Sequence, residues 1–189
     1  MNLPELALAL ALAWGAGLRA YAVIFVVGLA GAMGWVELPG HLEVLQHPVV
    51  LGASGFMTLV EFGADKVPWL DSIWDAMHSF VRIPAGAALA AMAFGDSTSA
   101  VMVAAGLLGG SLAAVMHVTK AGARATLNLS PEPFSNWAAS LSEDAIVPLG
   151  LWLAFAHPLA FLLLLALLLL SVVLLMRLLW RGLRRLVAS

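Results

Sequence analysis

Apolar positions in this chain form runs that are too long and too continuous for barrel strands, the extreme being the leucine-rich stretch from Phe161 to Leu170. Backbone amides in lipid must be satisfied within their own segment, so such runs predict helices. Six spans are expected, at about Leu3 to Gly34, Pro48 to Lys66, Leu70 to Phe94, Ser97 to Asn128, Ser135 to Ala156 and Pro158 to Leu183. The first exceeds one bilayer thickness and carries Gly15, Gly17 and Arg19 at its middle, so it is expected to be tilted, kinked or broken. The expected fold is all-α: a polytopic helical membrane protein forming a single transmembrane domain over residues 1–189.

The polar positions that interrupt these runs keep helical spacing. In the second span Ser54, Thr58, Glu61 and Asp65 fall on one stripe at i, i+4, i+7 and i+11; in the third, Asp71, Asp75, His78 and Arg82 repeat it. The fourth carries Gly106, Gly110, Ala113, His117, Lys120, Arg124 and Asn128 on a narrow stripe. In the fifth, Asn136, Ser140 and Glu143 share a face, with Asp144 beside it. Turning these stripes toward one another gives a polar interior of Glu61, Asp65, Asp75, His78, Glu143 and Asp144, with Arg19, Arg82, Lys120 and Arg124 as counter-ions. His117, beside Gly106 and Gly110, reads as a helix-packing histidine.

Composition sharpens this picture. Of 189 residues, 62% are hydrophobic and 11% charged, and the mean hydropathy is +0.99, against roughly half apolar and a quarter charged in soluble domains. At about 20 residues per span, no separate water-soluble catalytic or nucleic-acid-binding module fits. The net charge of −2 points to no partner, and the absence of cysteine excludes disulfides and thiolate chemistry. Met1 to Leu12 carries Glu5 and no basic side chain, so this segment is expected to be retained in the mature protein. Lys66, Lys120, Arg124, Arg177, Arg181, Arg184 and Arg185 fall at alternate connections and at the end of the last span. With six spans, that pattern predicts both termini in the cytoplasm, and the basic end of the last span reads as a headgroup anchor.

An ionised side chain at mid-bilayer costs about 2.5 to 3.5 kcal/mol on insertion scales, so retained charges are paired, hydrated or used. Transport is the first expectation. Glu61, Asp65, Asp75 and Glu143 are hard oxygen ligands for a divalent cation as cargo, and His78 three residues after Asp75 adds a nitrogen. Protonation of the carboxylates would couple release of the cation to proton uptake. The alternative is an anionic or lipid-phosphate cargo held by Arg19, Arg82, Lys120 and Arg124, with Asn136 beside them. A second class is a metal-dependent intramembrane enzyme, against which stands the lack of a nucleophile elbow, paired-histidine zinc motif or phosphate loop. A scaffold without cargo is a third. Beyond the bilayer and a small ion or solute no partner is expected, except a second copy: Gly106, Gly109 and Gly110 with the leucine-rich last span predict a homodimer or small homo-oligomer.

Weaker signals complete the reading. Ala16 to Ala20 echoes Ala121 to Ala125, and Trp74 to Pro84 echoes Trp137 to Pro148, which would fit an inverted repeat of three-helix halves. The turn Ser130 to Asn136 is a stiff elbow at which Ser135 can cap the fifth helix. Trp14, Trp35, Trp69, Trp74, Trp137, Trp152 and Trp180 read as interfacial anchors.

At Val60 to Pro68, Asp75 to His78, Lys120 to Arg124, Ser130 to Asn136 and Ser142 to Asp144, over about residues 8 to 175, the chain resembles the bacterial membrane proteins of the domain of unknown function 4126 family. That likeness implies a multi-pass protein of the bacterial inner membrane and no activity. Glu61-Phe62-Gly63-Ala64-Asp65-Lys66 is also similar to the Glu-x-Gly-Asp-Lys motif of calcium and manganese exchangers, whose acidic residues bind cation. Here Ala64 stands between Gly63 and Asp65, which changes the helical phase, and the motif occurs once.

Overall fold

The computed structural model describes residues 2–127 and 134–187. Six α-helices form: α1 (Leu3–Ala32), α2 (Pro48–Ala64), α3 (Pro68–Met92), α4 (Ser99–Leu127), α5 (Phe134–Ala156) and α6 (Pro158–Val187), with a 3-10 turn over Gly40–Gln46. Each lies within a few residues of an expected span, and the described residues contain no strand. Local chemistry sets the starts. Asn2 and Glu5 close a reciprocal capping box on α1, and the His47 ring accepts from the Val49 amide at 3.3 Å. Pro48 and Pro68 open α2 and α3, where a missing amide donor costs nothing.

The molecule is a helical membrane protein by its surface as well as its lengths. Four helices, Leu3–Ala32, Ser99–Leu127, Trp137–Ala156 and Pro158–Leu178, are long and apolar enough to cross a bilayer, and Pro48–Ala64 is a shorter apolar helix. Phe80 is 86% exposed, and Phe56, Leu59, Leu107 and Leu163 also face outward, whereas Arg19, Glu61, Asp65 and Arg82 are fully buried. A soluble fold shows the reverse distribution.

The first helix is broken, and the break is a fold-back. Arg19 has non-helical dihedrals (φ −148°, ψ 80°) inside α1. A methyl added at Gly15 would lie 2.7 Å from the Val23 side chain, although eight residues of straight helix would separate the two by about 12 Å. Neighbours give the direction of each half. Ala13 lies against Gly86 and Gly109, and Gly17 against Ala113 and Met116, so the first half runs alongside α4 in the same sense. Phe25 meets Gly55, Gly28 meets Leu51, and Gly31 meets Gln46, so the second half runs antiparallel to α2. Gly15 and Gly17 permit both close approaches because neither has a Cβ.

Both ends of α1 lie at the end of the bundle remote from Arg19, and α6 returns along α5, with Ile146, Leu165 and Leu168 lining one groove. The start of α1 and the end of α6 thus lie toward opposite ends of the bundle. The inverted repeat is also not what forms, since α3 and α5 both start near the charged residues and run away from them. Nor do the glycines of α4 lie free for a second copy. Gly109 packs on Ala90 and Gly86, and Gly110 on Ala87, all within one chain.

Candidate functional site

Five helices each bring charge to one place. Glu61 is in the last turn of α2 and Asp65 is its C-cap; Asp75 and Arg82 come from α3. Lys120 and Arg124 lie near the end of α4, Glu143 and Asp144 are on α5, and Arg19 is at the tip of the α1 hairpin. The expected polar stripes do face one another. Asp71, Asn128, the segment 130–133 and the Asn136 side chain, also named in the sequence, lie outside what the structure describes.

The pairing is dense. Arg19 reaches Asp65 at 2.8 Å, Asp144 at 3.1 Å and Glu143 at 3.8 Å, and donates to the Ser140 carbonyl and hydroxyl at 3.2 and 3.1 Å. Arg82 bridges Glu61 and Asp75, each at 2.5 Å. Lys120 lies 3.1 Å from Glu143, 3.4 Å from Asp65 and 3.6 Å from Asp75. It also donates to the Leu18 carbonyl at 3.3 Å, an acceptor left over where α1 breaks. The ammonium thus sits at the negative end of a half-helix. Arg124 lies 3.3 Å from Glu143 and 3.8 Å from Asp65.

Five carboxylates face four permanent cations, one negative charge in excess with the histidines neutral. Partners indicate that His117 is neutral: its Nδ1 lies 3.2 Å from Arg82 Nη1 and accepts, so its Nε2–H donates to Ser79 Oγ at 2.6 Å. His117, expected as a packing residue, therefore belongs to the network. His78 sits at its edge, stacked on Trp74 at 4.1 Å, near Tyr21, and bonded through Nδ1 to the Trp74 carbonyl at 2.8 Å.

Pairing does not saturate the cluster. Glu61 Oε2, Asp65 Oδ1, Asp75 Oδ2, Asp144 Oδ2 and Arg19 Nη1 are buried with no hydrogen-bond partner among the described residues. Each is a place for water, a proton or a solute. Among the described residues no group of three or more His, Asp or Glu side chains is set to hold a metal ion. In the exchanger-like segment, Glu61 turns to Arg82 while Asp65 turns to Arg19 and Lys120. The side chains of Glu143 and Asp144 are 16% and 25% exposed, and they lie at the seam where α4 and α5 pack sparsely.

Sequence reasoning missed Ser79, Tyr21 and the Leu18 carbonyl. Ser79 stands four residues after Asp75, a spacing that was open to notice; the carbonyl depends on the break at Arg19, which no side-chain pattern marks. Of the tryptophans expected as anchors, Trp14 is buried inside the molecule against Gly150 and Phe161, and Trp74 is half-buried and stacks on His78.

A family model described as Domain of unknown function (DUF4126) matches residues 6–178. The chain belongs to the DUF4126 family. In this DUF4126 protein the match runs from α1 into α6 and includes every member of the charge cluster. No curated protein and no solved structure was found to match.

Proposed function

We propose that the protein is a small membrane transporter that couples a proton to an anionic solute through its buried carboxylates. The observation that supports this is the convergence of Arg19, Lys120 and Arg124 on Glu143 and Asp65 at the partly open α4–α5 seam. While Glu143 is ionised, it occupies these cations. Protonation removes that competitor, and the cations turn to a phosphate or carboxylate, which arginine engages in bidentate fashion. Anion binding then strengthens as pH falls. In sealed liposomes the protein should carry phosphate inward with protons, and Glu143→Gln, which imitates the protonated acid, should bind phosphate at neutral pH without the pH dependence. Arg124→Gln should abolish uptake. Unchanged transport in both variants would sink the reading.

Cation-for-proton exchange, the first expectation from sequence, is the second reading, and the one surplus carboxylate favours it. A proton or single positive charge neutralises the cluster, whereas a divalent ion overshoots beside three guanidinium groups. Under this reading Glu61→Gln and Glu143→Gln each abolish flux, and binding weakens as pH falls.

The lysines and arginines at the charged end support a cytoplasmic location for that end and for the C-terminus in a bacterial inner membrane, with the N-terminus on the other side. The chain contains no cysteine, so single cysteines at Asn2 and Ser189 test this. An impermeant maleimide added outside should label only the first. A homodimer, if formed, would use the exposed leucines of α6, which native mass spectrometry can report.

A further inference from the structure

An apolar groove of about 250 Å³ lies between α5 and α6 and is floored by α1; it is lined by Trp14, Leu149, Gly150, Phe161, Leu164 and Leu168 among others. Its position relative to the charges is set by helix geometry. Gly150 follows Glu143 by seven residues, two turns along the same face of α5, and Trp14 precedes Arg19 by five. Gly150 is where the indole ring rests, since a methyl there would lie 2.5 Å from the ring. The Trp14 N–H is buried with no acceptor among the described residues.

Resting on the anionic reading above, we infer that the cargo is an amphiphile: a lipid bearing a phosphate monoester, its headgroup at Arg19, Lys120 and Arg124 and its chain in this groove. Three features meet here. A cluster of permanent cations complements a headgroup carrying about 1.5 to 2 negative charges. A wholly hydrocarbon-lined groove continues from it along α5 toward the far end of the bundle, as a chain would run from a headgroup toward mid-bilayer. Within the groove, the Trp14 N–H, buried with no acceptor among the described residues, is a donor for an oxygen carried by the lipid chain. The partly exposed Glu143 and Asp144 at the α4–α5 seam give the lipid a sideways route, so no aqueous channel is required. Binding transfers no covalent bond; the proton taken by Glu143 accompanies the lipid.

The test is a titration of detergent-solubilised protein with inorganic phosphate, octyl phosphate and octyltrimethylammonium, by calorimetry or native mass spectrometry. Each methylene buried in the groove multiplies affinity roughly fourfold, so octyl phosphate should bind at least fiftyfold tighter than inorganic phosphate. Leu149→Trp, at an exposed position that folding does not need, fills the groove; it should abolish that advantage and leave phosphate binding unchanged. Leu164→Trp should do the same. If both variants keep the full octyl advantage, or if octyltrimethylammonium binds as well as octyl phosphate, the lipid inference is overturned and the anion reading stands. If neither phosphate nor octyl phosphate binds and Arg124→Gln changes nothing, the anion reading falls and takes the inference with it.

Discussion

Along α4 two seams run side by side and are built from different materials. Toward α3 the apolar half of the contact is glycine against alanine, Gly109 on Ala90 and Gly86 and Gly110 on Ala87, and only nearer the charges do Lys120 and His117 meet Asp75, Arg82 and Ser79. Toward α5 the described bridges are ion pairs of Lys120 and Arg124 with Glu143. Glycine-on-alanine packing is either made or lost and does not answer to pH. On the coupling proposed above, α3 and the glycine half of α4 form the fixed frame, and the Glu143 pairs are the contacts that a proton releases.

The comparison breaks first at Arg82. Replacing it by methionine strands Glu61 and Asp75 as buried anions, and losing one side of a buried pair costs about 3 to 5 kcal/mol. Thermal unfolding in detergent should show a large fall, with partial recovery when Glu61→Gln and Asp75→Asn are added; a variant as stable as the parent would show that this pair is not part of the frame. Next comes Gly109→Val, whose added carbons meet Ala90 and, at 2.8 Å, the Gly86 carbonyl. Overpacking of that kind costs about 1 to 3 kcal/mol, and the loss should be the same at pH 5 and pH 8. Smallest is Glu143→Gln, at a partly hydrated position. Its amide keeps an acceptor oxygen for Lys120 and Arg124, so it should cost less stability than Arg82→Met, yet remove the pH dependence of anion binding. A pH-dependent Gly109→Val or a pH-dependent Glu143→Gln would erase the distinction between the seams.

Helix positions and polar stripes were legible because side-chain periodicity is a local property. That is why the sequence alone groups Glu61, Asp75, Arg82, Lys120 and Glu143. What periodicity does not encode is which group takes which partner. It therefore offered the acids both as cation ligands and as partners of the arginines, and in the structure each carboxylate lies against a guanidinium or ammonium. It also counted α1 as one pass, because an arginine shortly after two glycines reads the same in a kink and in a full reversal. The proximity of Gly15 to Val23 and the opposite directions of the two halves separate the two. The α4 glycines show the same limit: small residues signal a close helix approach and are silent on whether the neighbour belongs to the same chain, and here Gly109 and Gly110 meet α3.

The reversal at Arg19 also bears on how the protein is made. On the orientation proposed above, the first sixteen helical residues enter the bilayer as the leading arm of a hairpin, and the N-terminus, carrying Glu5 and no basic side chain, has to be translocated. Arg19 stays at the tip on the side from which the chain arrives, so its charge never crosses. A large folded fusion placed before Met1 would have to be threaded across and should block insertion, whereas the same fusion after Ser189 should leave biogenesis intact.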